Sequence, residues 1–384
     1  MRSPFATACL LVVALLAAAC GASTSDRARR GGAPDRDRLA VSTAGWRTDF
    51  ARHSVPLDEL ASGGPGRDGI PPIDRPRFVG VEQAARYLDA QEPVLAVEIS
   101  GRARAYPQQI LIWHEIVNDT LAGRPVAVTY CPLCNSSLVF DRRVSGRTLT
   151  FGTTGNLRHS DLVMWDRQTE SWWQQLTGEA VVGRLTGTRL IALPSQTLSF
   201  ADFRARYPDG EVLSRDTGFE RPYGHNPYVG YDQPDEQPFL LDRRADDRLP
   251  PKERVLSLIR GRRAVVVPFS RLQREPVMML DQGGTPVVVL YRRGVKSSLD
   301  ADAIADSREV GTATAFDRRV GGRTLTFQSA ANGGFRDRET GSSWDITGVA
   351  HSGPLAGRRL TPVRHDVQFW FAVAAFLPDA RILR

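Results

Sequence analysis

The sequence is poor in cysteine, with four among 384 residues, and beyond its first twenty residues it has no apolar run that approaches the span of a membrane. Cys9 and Cys20 fall in that N-terminal region, so Cys131 and Cys134 are the only cysteines expected in the finished protein, and at most one disulfide is available to it. Gly-x-Ser-x-Gly elbows, phosphate loops and dinucleotide fingerprints are also missing, so the enzyme classes that these motifs mark are not indicated.

The N-terminal region has the pattern of an export signal. Residues 1–19 have one early positive charge, an apolar run too short to span a bilayer comfortably, and small residues at the end, which predicts a signal peptide. The small residues lead into Cys20 in LLAAACGAS, which resembles a bacterial lipobox and implies lipidation of Cys20. A one-piece transmembrane anchor is the alternative. Residues 20–45, rich in Gly, Ser, Asp and Arg, predict a flexible tether.

The predicted location and charge define the expected partners. The lipid on Cys20 would hold an exported protein at the extracytoplasmic side of the cell membrane. The formal net charge is +7, but the arginines are spread among aspartates rather than clustered. This distribution predicts a solvated surface and no nucleic-acid partner. A protein partner or a small-molecule substrate is left open.

The chain contains two copies of one unit. FDRRVSGRTLTF at 140–151 and FDRRVGGRTLTF at 316–327 are identical at eleven of twelve positions, and further matching blocks keep the same order on both sides. We therefore predict a first repeat unit at 46–214 and a second, degenerate unit at 251–384. The connector between them, 215–250, is rich in Pro, Gly and Tyr, and loops of that length are often functional.

Each copy has a pattern typical of β-structure. Runs of Val, Ile, Leu, Thr and Tyr flank small-Gly turns, which is the hairpin signal. The first copy has such turns at Ser100-Gly101, Ala122-Gly123, Ser145-Gly146 and Thr186-Gly187. Helical pattern is limited to short segments such as 81–90 and 200–209. We predict a mainly β or α+β fold of two internally repeated β-rich units, with positive φ at or beside Gly146 and Gly322.

The cysteines belong to the first copy alone. YCPLCNSS of the first copy aligns with YRRGVKSS of the second, which keeps the strand and the two serines but neither cysteine. His114 likewise aligns with Glu275. Because both copies keep the scaffold and only one keeps His114, Cys131 and Cys134, we infer a local chemical role for these three residues.

The Cys-x-x-Cys spacing allows three interpretations. On a tight turn both sulfurs can bind one metal ion, with His114 as third ligand and Glu115 beside it as the candidate catalytic acid–base group; such a site suits copper or zinc. A redox dithiol is the second, although the segment after Cys134 lacks the helical pattern of thioredoxin-like enzymes. A plain structural disulfide between Cys131 and Cys134 is the third.

A second segment, 155–183, offers further polar candidates for ligands or acid–base groups, namely His159, Asp161, Met164 and Asp166. Asp166-Arg167 recurs as Asp337-Arg338 in the copy without cysteines, which indicates a scaffold role. His159 has no counterpart in the second copy, so we keep it as a possible additional metal ligand.

The segment WHEIVNDTLAGRPVAVTYCPLCNSSLVFDRRVSGRTLTFG, followed by SDLVMWDRQTESWW, YGHNPYVGYD and LPPKERVL, resembles the bacterial and archaeal family known as domain of unknown function 3179. The resemblance extends from about residue 55 to the end. It implies an exported protein and no known activity. It also implies a His-Glu and Cys-Pro-Leu-Cys signature, which here is His114, Glu115, Cys131 and Cys134.

Two functions follow from the sequence. The first is a lipid-anchored protein with a metal-binding or thiol-redox site in the first repeat, for which enzymatic activity is left open. The alternative is a non-catalytic binding or structural lipoprotein with a Cys131–Cys134 disulfide.

Overall fold

Short runs of β-branched and aromatic residues alternate with glycine-containing turns, and they form β-hairpins throughout the computed structural model, which describes residues 39–261 and 263–384. The predicted signal peptide, Cys20 and residues 20–38 of the tether lie outside the described residues. Within the described ranges, no helix is both long and apolar enough to cross a bilayer. The fold is mainly β with a few short helices, as the sequence predicted.

The first half of the chain contains strands β1 to β16 and helices α1 to α3. The strands are β1 Leu60–Ser62, β2 Phe78–Gly80, β3 Pro93–Ile99, β4 Arg102–Pro107, β5 Ile116–Leu121, β6 Arg124–Cys131, β7 Ser136–Asp141, β8 Arg143–Val144, β9 Arg147–Thr148, β10 Phe151–Arg158, β11 Asp161–Asp166, β12 Trp172–Gln174, β13 Glu179–Val182, β14 Ile191–Leu193, β15 Gln196–Ser199 and β16 Glu211–Leu213. The helices are α1 Val81–Ala84, α2 Gln108–His114 and α3 Phe200–Arg206.

The second half contains strands β17 to β30 and helices α4 and α5. The strands are β17 Arg254–Arg260, β18 Arg263–Pro268, β19 Val277–Gln282, β20 Thr285–Arg292, β21 Thr312–Asp317, β22 Arg319–Val320, β23 Arg323–Thr324, β24 Phe327–Ser329, β25 Phe335–Asp337, β26 Ser343–Trp344, β27 Ala350–Ser352, β28 Thr361–Pro362, β29 Asp366–Phe369 and β30 Arg381–Ile382. The helices are α4 Phe269–Leu272 and α5 Trp370–Phe376. Three short 3-10 helices complete the described elements, at Leu57–Glu59, Ile304–Asp306 and Ala331–Gly333.

The two halves have the same strand order. In the first half the sheets run β14-β7-β6-β5, β15-β3-β4-β16-β2 and β1-β10-β11-β12-β13. In the second they run β28-β21-β20-β19, β29-β17-β18-β30 and β24-β25-β26-β27. The near-identical segments form the small hairpins β8-β9 and β22-β23, and their central glycines, Gly146 and Gly322, have φ of 77° and 78°. The predicted internal repeat is confirmed.

The halves pack reciprocally rather than side by side. Strand β7 packs against β29 of the second half, and β21 packs against the counterpart of β29 in the first half, β15. One buried cluster accordingly mixes Val94 and Ala96 with Val288 and Phe316. Phe369 in turn joins the main core of the first half. Each half thus covers apolar surface that the other half exposes.

The structure corrects one detail of the sequence alignment. Cys131 pairs with Ser136 across β6 and β7, whereas Arg292 pairs with Thr312 across β20 and β21. The counterpart of Ser136 is therefore Thr312, and Ser297 lies in a long segment, 293–311, that replaces the short turn of the first half. The serines of the two copies match in sequence but are not equivalent in the structure. A comparison without gaps cannot reveal the insertion in the second copy.

Candidate functional site

The two cysteines lie at a tight turn between β6 and β7. Cys131 is the last residue of β6, and the turn is closed by the Asn135 N–H, which donates to the carbonyl of Pro132 at 3.1 Å. Asn135 has φ of 50°, a left-handed conformation that Asn tolerates better than most residues. The turn keeps both side chains in the core: Cys131 is 1% exposed and Cys134 is 0% exposed. Both are free thiols in this structure.

A second hairpin approaches the thiols from β10 and β11. Arg158 pairs with Asp161, and the two residues between them, His159 and Ser160, have φ of 51° and 68°. Two consecutive positive φ values define a type I′ turn, which is costly for residues other than glycine. The turn directs the Ser160 carbonyl at both thiols, with Sγ to O distances of 3.5 Å and 3.8 Å. It also places Asp161 beside them.

Asp161 completes a compact group of three potential ligands. The two sulfurs and one Asp161 carboxylate oxygen all lie within 4.8 Å of one another, and all three residues are buried. Asp161 Oδ2 accepts hydrogen bonds from Gln174 Nε2 at 2.5 Å and from the Leu176 N–H at 3.0 Å. Among the described residues, no donor meets Asp161 Oδ1 with hydrogen-bond geometry. One carboxylate oxygen is therefore fixed by two nitrogen donors, and the neighbours of the carboxylate that remain are the thiols of Cys131 and Cys134.

Glu115 is placed near this group by the end of α2. It has φ of 57°, and its N–H donates to the Leu111 carbonyl at 2.7 Å, which ends the helix. Its own carbonyl accepts the Tyr130 N–H at 2.8 Å, which joins the helix end to β6. Burial, reinforced by the negative charge of Asp161, raises the pKa of Glu115 to about 8. Glu115 thus interacts electrostatically with the group around Cys131, as a candidate acid–base residue should.

The site collects acidic groups without a compensating cation. Burial raises the pKa of both thiols, and Asp161 adds to the rise at each of them. Burial also raises the pKa of Asp161 to about 6, against the lowering effect of hydrogen bonds from the Leu176 N–H, Gln174 and the thiols of Cys134 and Cys131. Within residues 39–261 and 263–384, neither Asp161 nor Glu115 has an ion-pair partner. Without a bound cation the two thiols and Glu115 stay largely protonated at neutral pH, and Asp161 is the member of the group that ionises first.

His114 does not join the cysteines, which corrects the predicted Cys2His arrangement. Its Nδ1 donates to the Pro71 carbonyl at 2.7 Å, because a carbonyl can only accept. In that tautomer Nε2 must accept, and it does so from the Tyr223 hydroxyl at 2.6 Å. Burial lowers the pKa of His114 to about 4, so the ring stays neutral. Both nitrogens are committed elsewhere, and Asp161 takes the position predicted for His114.

His159 is also committed to other partners. Arg243 Nη2 donates to its Nε2 at 2.8 Å, so its Nδ1 donates to Asp242 Oδ1 at 2.7 Å. Burial lowers the pKa of His159, and the positive charge of Arg158 adds to this effect. The predicted additional ligand therefore anchors the hairpin tip to the connector instead of joining the three ligand atoms.

Two segments from outside the repeat scaffold line the site. Burial raises the pKa of Tyr228 and of Tyr231, both in the connector; Glu115 and Cys131 add to the rise at Tyr228, and Cys134 adds to that at Tyr231. Segment 293–311 of the second half contributes Ser298, whose hydroxyl is 2.9 Å from that of Tyr130. The backbone N–H of Phe369, also from the second half, donates to the Cys134 carbonyl at 2.9 Å. The site thus belongs to the first copy but depends on the second.

The equivalent position in the second half lacks this chemistry. Pro276 directly precedes β19 as Glu115 precedes β5, and Arg292 ends β20 where Cys131 ends β6. The second hairpin is also shorter by five residues. It runs from Phe327 to its partner Asp337, whereas the first runs from Phe151 to its partner Asp166. The residues removed are those that carry Asp161. This deletion in the second copy was the sequence signal that could have singled out Asp161 among the polar residues of 155–183.

Comparison with known proteins identifies a family but not an activity. Residues 67–380 match the family described as protein of unknown function DUF3179. No curated protein and no solved structure matches the chain. The match does not test the Cys-Pro-Leu-Cys signature, which stays a prediction. Since the match covers most of both repeats, the chain belongs to the DUF3179 family of proteins of unknown function.

Proposed function

We propose that this protein binds a zinc ion through Cys131, Cys134 and Asp161, with Glu115 as the neighbouring acid–base group. The observation that carries the proposal is the buried group of two thiols and one Asp161 carboxylate oxygen, with the three ligand atoms within 4.8 Å of one another. Ligand atoms on one tetrahedral zinc ion lie about 3.5 to 3.8 Å apart, given Zn–S of about 2.3 Å and Zn–O of roughly 2.0–2.2 Å. Small side-chain shifts would therefore close the site.

The ligand set favours zinc over copper. Cuprous copper is selected by sites made only of soft thiolate or thioether ligands, whereas zinc accepts sulfur and carboxylate oxygen together. A divalent cation would also offset the negative charge that Cys131, Cys134 and Asp161 acquire when they lose their protons. Zinc therefore suits the mixed sulfur and oxygen ligands. It would also supply the positive charge that no ion-pair partner provides in the described part of the chain.

Thiol-redox chemistry is less consistent with this environment. Reactive cysteines have a lowered pKa and lie in partly exposed, electropositive surroundings. Here the thiols are buried, their pKa values are raised, and the charged neighbour that they share is a carboxylic acid, Asp161, rather than a cation. A Cys131–Cys134 disulfide remains the outcome to be tested against zinc, because an exported protein meets oxidising conditions.

A bound zinc ion would act as a Lewis acid at the position left by its three protein ligands. Glu115, whose pKa is raised to about 8, is mostly protonated at neutral pH without the ion. A nearby cation favours the ionised form of a carboxyl group, so Glu115 would then exchange a proton closer to neutral pH. This is the behaviour required of a general acid or base.

Metal analysis of the mature chain, purified without chelator or reductant, tests the proposal. We expect one zinc ion per chain, and its loss in Cys131→Ser, Cys134→Ser and Asp161→Asn. Asp166→Asn is the matched control, because Asp166 is a buried carboxylate on the same strand that bonds Trp173 and Thr169 instead of facing the thiols. Absence of metal together with a free-thiol count of zero would support the disulfide instead. Full zinc content in Asp161→Asn would refute the ligand assignment.

The cellular position is part of the proposal. The signal-like residues 1–19 and the lipobox-like LLAAACGAS support a chain held by lipid on Cys20 at the extracytoplasmic face of the membrane. Mass spectrometry of the membrane fraction should show a lipid-modified N-terminus at Cys20. Cys20→Ala should release the protein from the membrane or leave residues 1–19 attached. An unmodified Cys20 in the wild-type chain would contradict the anchor.

A further inference from the structure

A cleft with a volume of about 380 Å³ lies where the two halves meet, between the loops beside β13 and β14 and the end of α5. Three arginines line it: Arg158, Arg189 and Arg364. Arg158 bonds Glu59 Oε2 from Nε at 2.7 Å, so it has an internal counter-ion. The cleft is separate from the proposed zinc ligands, although Leu176 lines it and holds Asp161 from the other side.

Arg364 is the unusual member of this group. It is largely shielded from solvent, yet in the described chain no carboxylate lies within ion-pair distance of it. Burial lowers the pKa of Arg364; the negative charge of Asp366 acts against this effect, and the positive charge of Arg189 adds to it. The nearest acid, Asp366, accepts hydrogen bonds from Ser136 Oγ and the Ser137 N–H, so its oxygens are already used. A shielded guanidinium without a partner is energetically costly unless an anion is supplied.

The acidic residues of the cleft do not neutralise Arg364. Glu179 Oε2 lies 2.6 Å from Arg189 Nη2 and is paired there. Asp379 stands exposed on the rim, and it is not within ion-pair distance of any arginine in the described residues. Within the described residues Arg364 therefore has no ion-pair partner, with Asp366 beyond ion-pair distance, and it faces a space large enough for a small molecule.

The repeat supplies an internal comparison. The equivalent cleft on the other side of the molecule, about 400 Å³, contains Glu98, which pairs with Arg359 at 3.1 Å and with Arg206 at 3.8 Å. Glu98 is opposite Ala103 across β3 and β4, and its counterpart Ile259 is opposite Ala264 across β17 and β18. The cleft around Arg364 has thus an apolar residue where its equivalent has the neutralising carboxylate.

Arg364 has no arginine as its counterpart in the equivalent cleft. Arg364 stands two residues before β29, at the position that Pro194 holds before β15. Arg189 and Arg359 occupy matching positions. Arg189 forms an isolated β-bridge with Glu179, and Arg359 forms one with Val349. Each cleft thus holds a carboxylate paired with its matching arginine, Glu98 with Arg359 and Glu179 with Arg189, whereas Arg364 has no ion-pair partner among the described residues.

We propose that the cleft around Arg364 binds a small molecule through a carboxylate or phosphate group, with Arg364 as the principal contact and Arg189 beside it. The planar guanidinium suits bidentate contacts to either oxyanion. Ile259 and Phe376 give the cleft an apolar wall, which suits an organic ligand that carries the anion. This binding is independent of the proposed zinc site.

Calorimetric titration of the intact mature protein with inorganic phosphate and, separately, with succinate tests the proposal. We expect saturable binding of at least one probe, and the stronger of the two identifies the oxyanion. Arg364→Gln should weaken binding at least tenfold, whereas Arg359→Gln, which removes an arginine of the equivalent cleft, should leave it unchanged. No saturable binding of either probe, or equal losses in the two variants, would overturn the proposal.

A second variant tests the comparison itself. Ile259→Glu copies Glu98 into the cleft and should supply an internal partner for the arginines, so binding of the probe should fall at least tenfold. Far-ultraviolet circular dichroism and the midpoint of urea unfolding establish that the variant is folded before it is titrated. Unchanged binding in folded Ile259→Glu would show that the anion is not held by these arginines and would contradict the proposal.

Discussion

Gln174 donates a hydrogen bond from Nε2 to Asp161 Oδ2 at 2.5 Å, and this bond orients the carboxylate that lies beside the thiols. Residues that orient a metal ligand in this way typically change metal affinity by about 10–100-fold when mutated. Gln174 is therefore a positioning residue of the proposed zinc site, although it touches neither sulfur.

We predict that Gln174→Met weakens zinc binding about 10–100-fold without removing a ligand. Competition with a chromogenic chelator would measure the change. Gln175→Met is the control, because Gln175 is equally buried but donates to Thr129 Oγ1. Equal affinities in the two variants would contradict the role of Gln174.

Ser160→Gly should stabilise the protein. Ser160 has φ of 68°, and its buried hydroxyl finds no partner with hydrogen-bond geometry among the described residues. Glycine removes both costs and keeps the carbonyl that faces the thiols, so the gain in unfolding free energy should be about 1 kcal/mol with zinc content unchanged. Urea unfolding measures it. The opposite change, Gly146→Ala at φ of 77°, should destabilise by about 1 kcal/mol. A loss of stability in Ser160→Gly would contradict the strain at this turn.

Tyr223→Phe should leave His114 Nε2 without its donor and destabilise the fold by about 1 kcal/mol. Zinc content should not change, because His114 is not a ligand in this structure. The pKa of His114 is lowered to about 4 from 6.5, so its contribution to stability is present above pH 6.5 and is lost as the pH falls through about 4. Urea unfolding measures the loss of stability and its pH dependence, and metal analysis measures the zinc content. Loss of zinc in this variant would restore His114 as a candidate ligand.

Asp366 should make the protein less stable as the pH rises. Burial raises the pKa of Asp366 to about 7 from 3.8, against the lowering effects of Ser136, Ser137, Arg364 and the Val367 N–H. Because the unfolded chain releases this proton at a lower pH, the contribution is complete below about pH 4 and disappears as the pH rises through about 7.

Asp366→Asn should therefore reduce the difference in unfolding free energy between about pH 5 and pH 8, by an amount on the order of 1–4 kcal/mol. A neutral amide is compatible with this position, since Gln196 holds the equivalent place at the start of β15. Urea titrations at the two pH values measure the effect. An unchanged difference in the variant would show that Asp366 is ionised throughout this range.

The sequence by itself determined the β-rich class, the internal repeat and the hairpin turns, because these depend on local patterns. Apolar alternation and glycine turns act over a few residues, and a repeated pattern folds into a repeated topology. The same comparison of the two copies singled out His114, Cys131 and Cys134, of which the structure brings the two cysteines together.

Only the tertiary structure decided the third member of the site and the environment around it. Asp161 lies beside the thiols because a strained two-residue turn brings one hairpin against another. The ring nitrogens of His114 are instead hydrogen-bonded to Pro71 and Tyr223. The unpaired state of Arg364 likewise follows from the packing of one half on the other. Such contacts join residues far apart in the chain, and no local preference of the sequence specifies which of several polar side chains meets which partner.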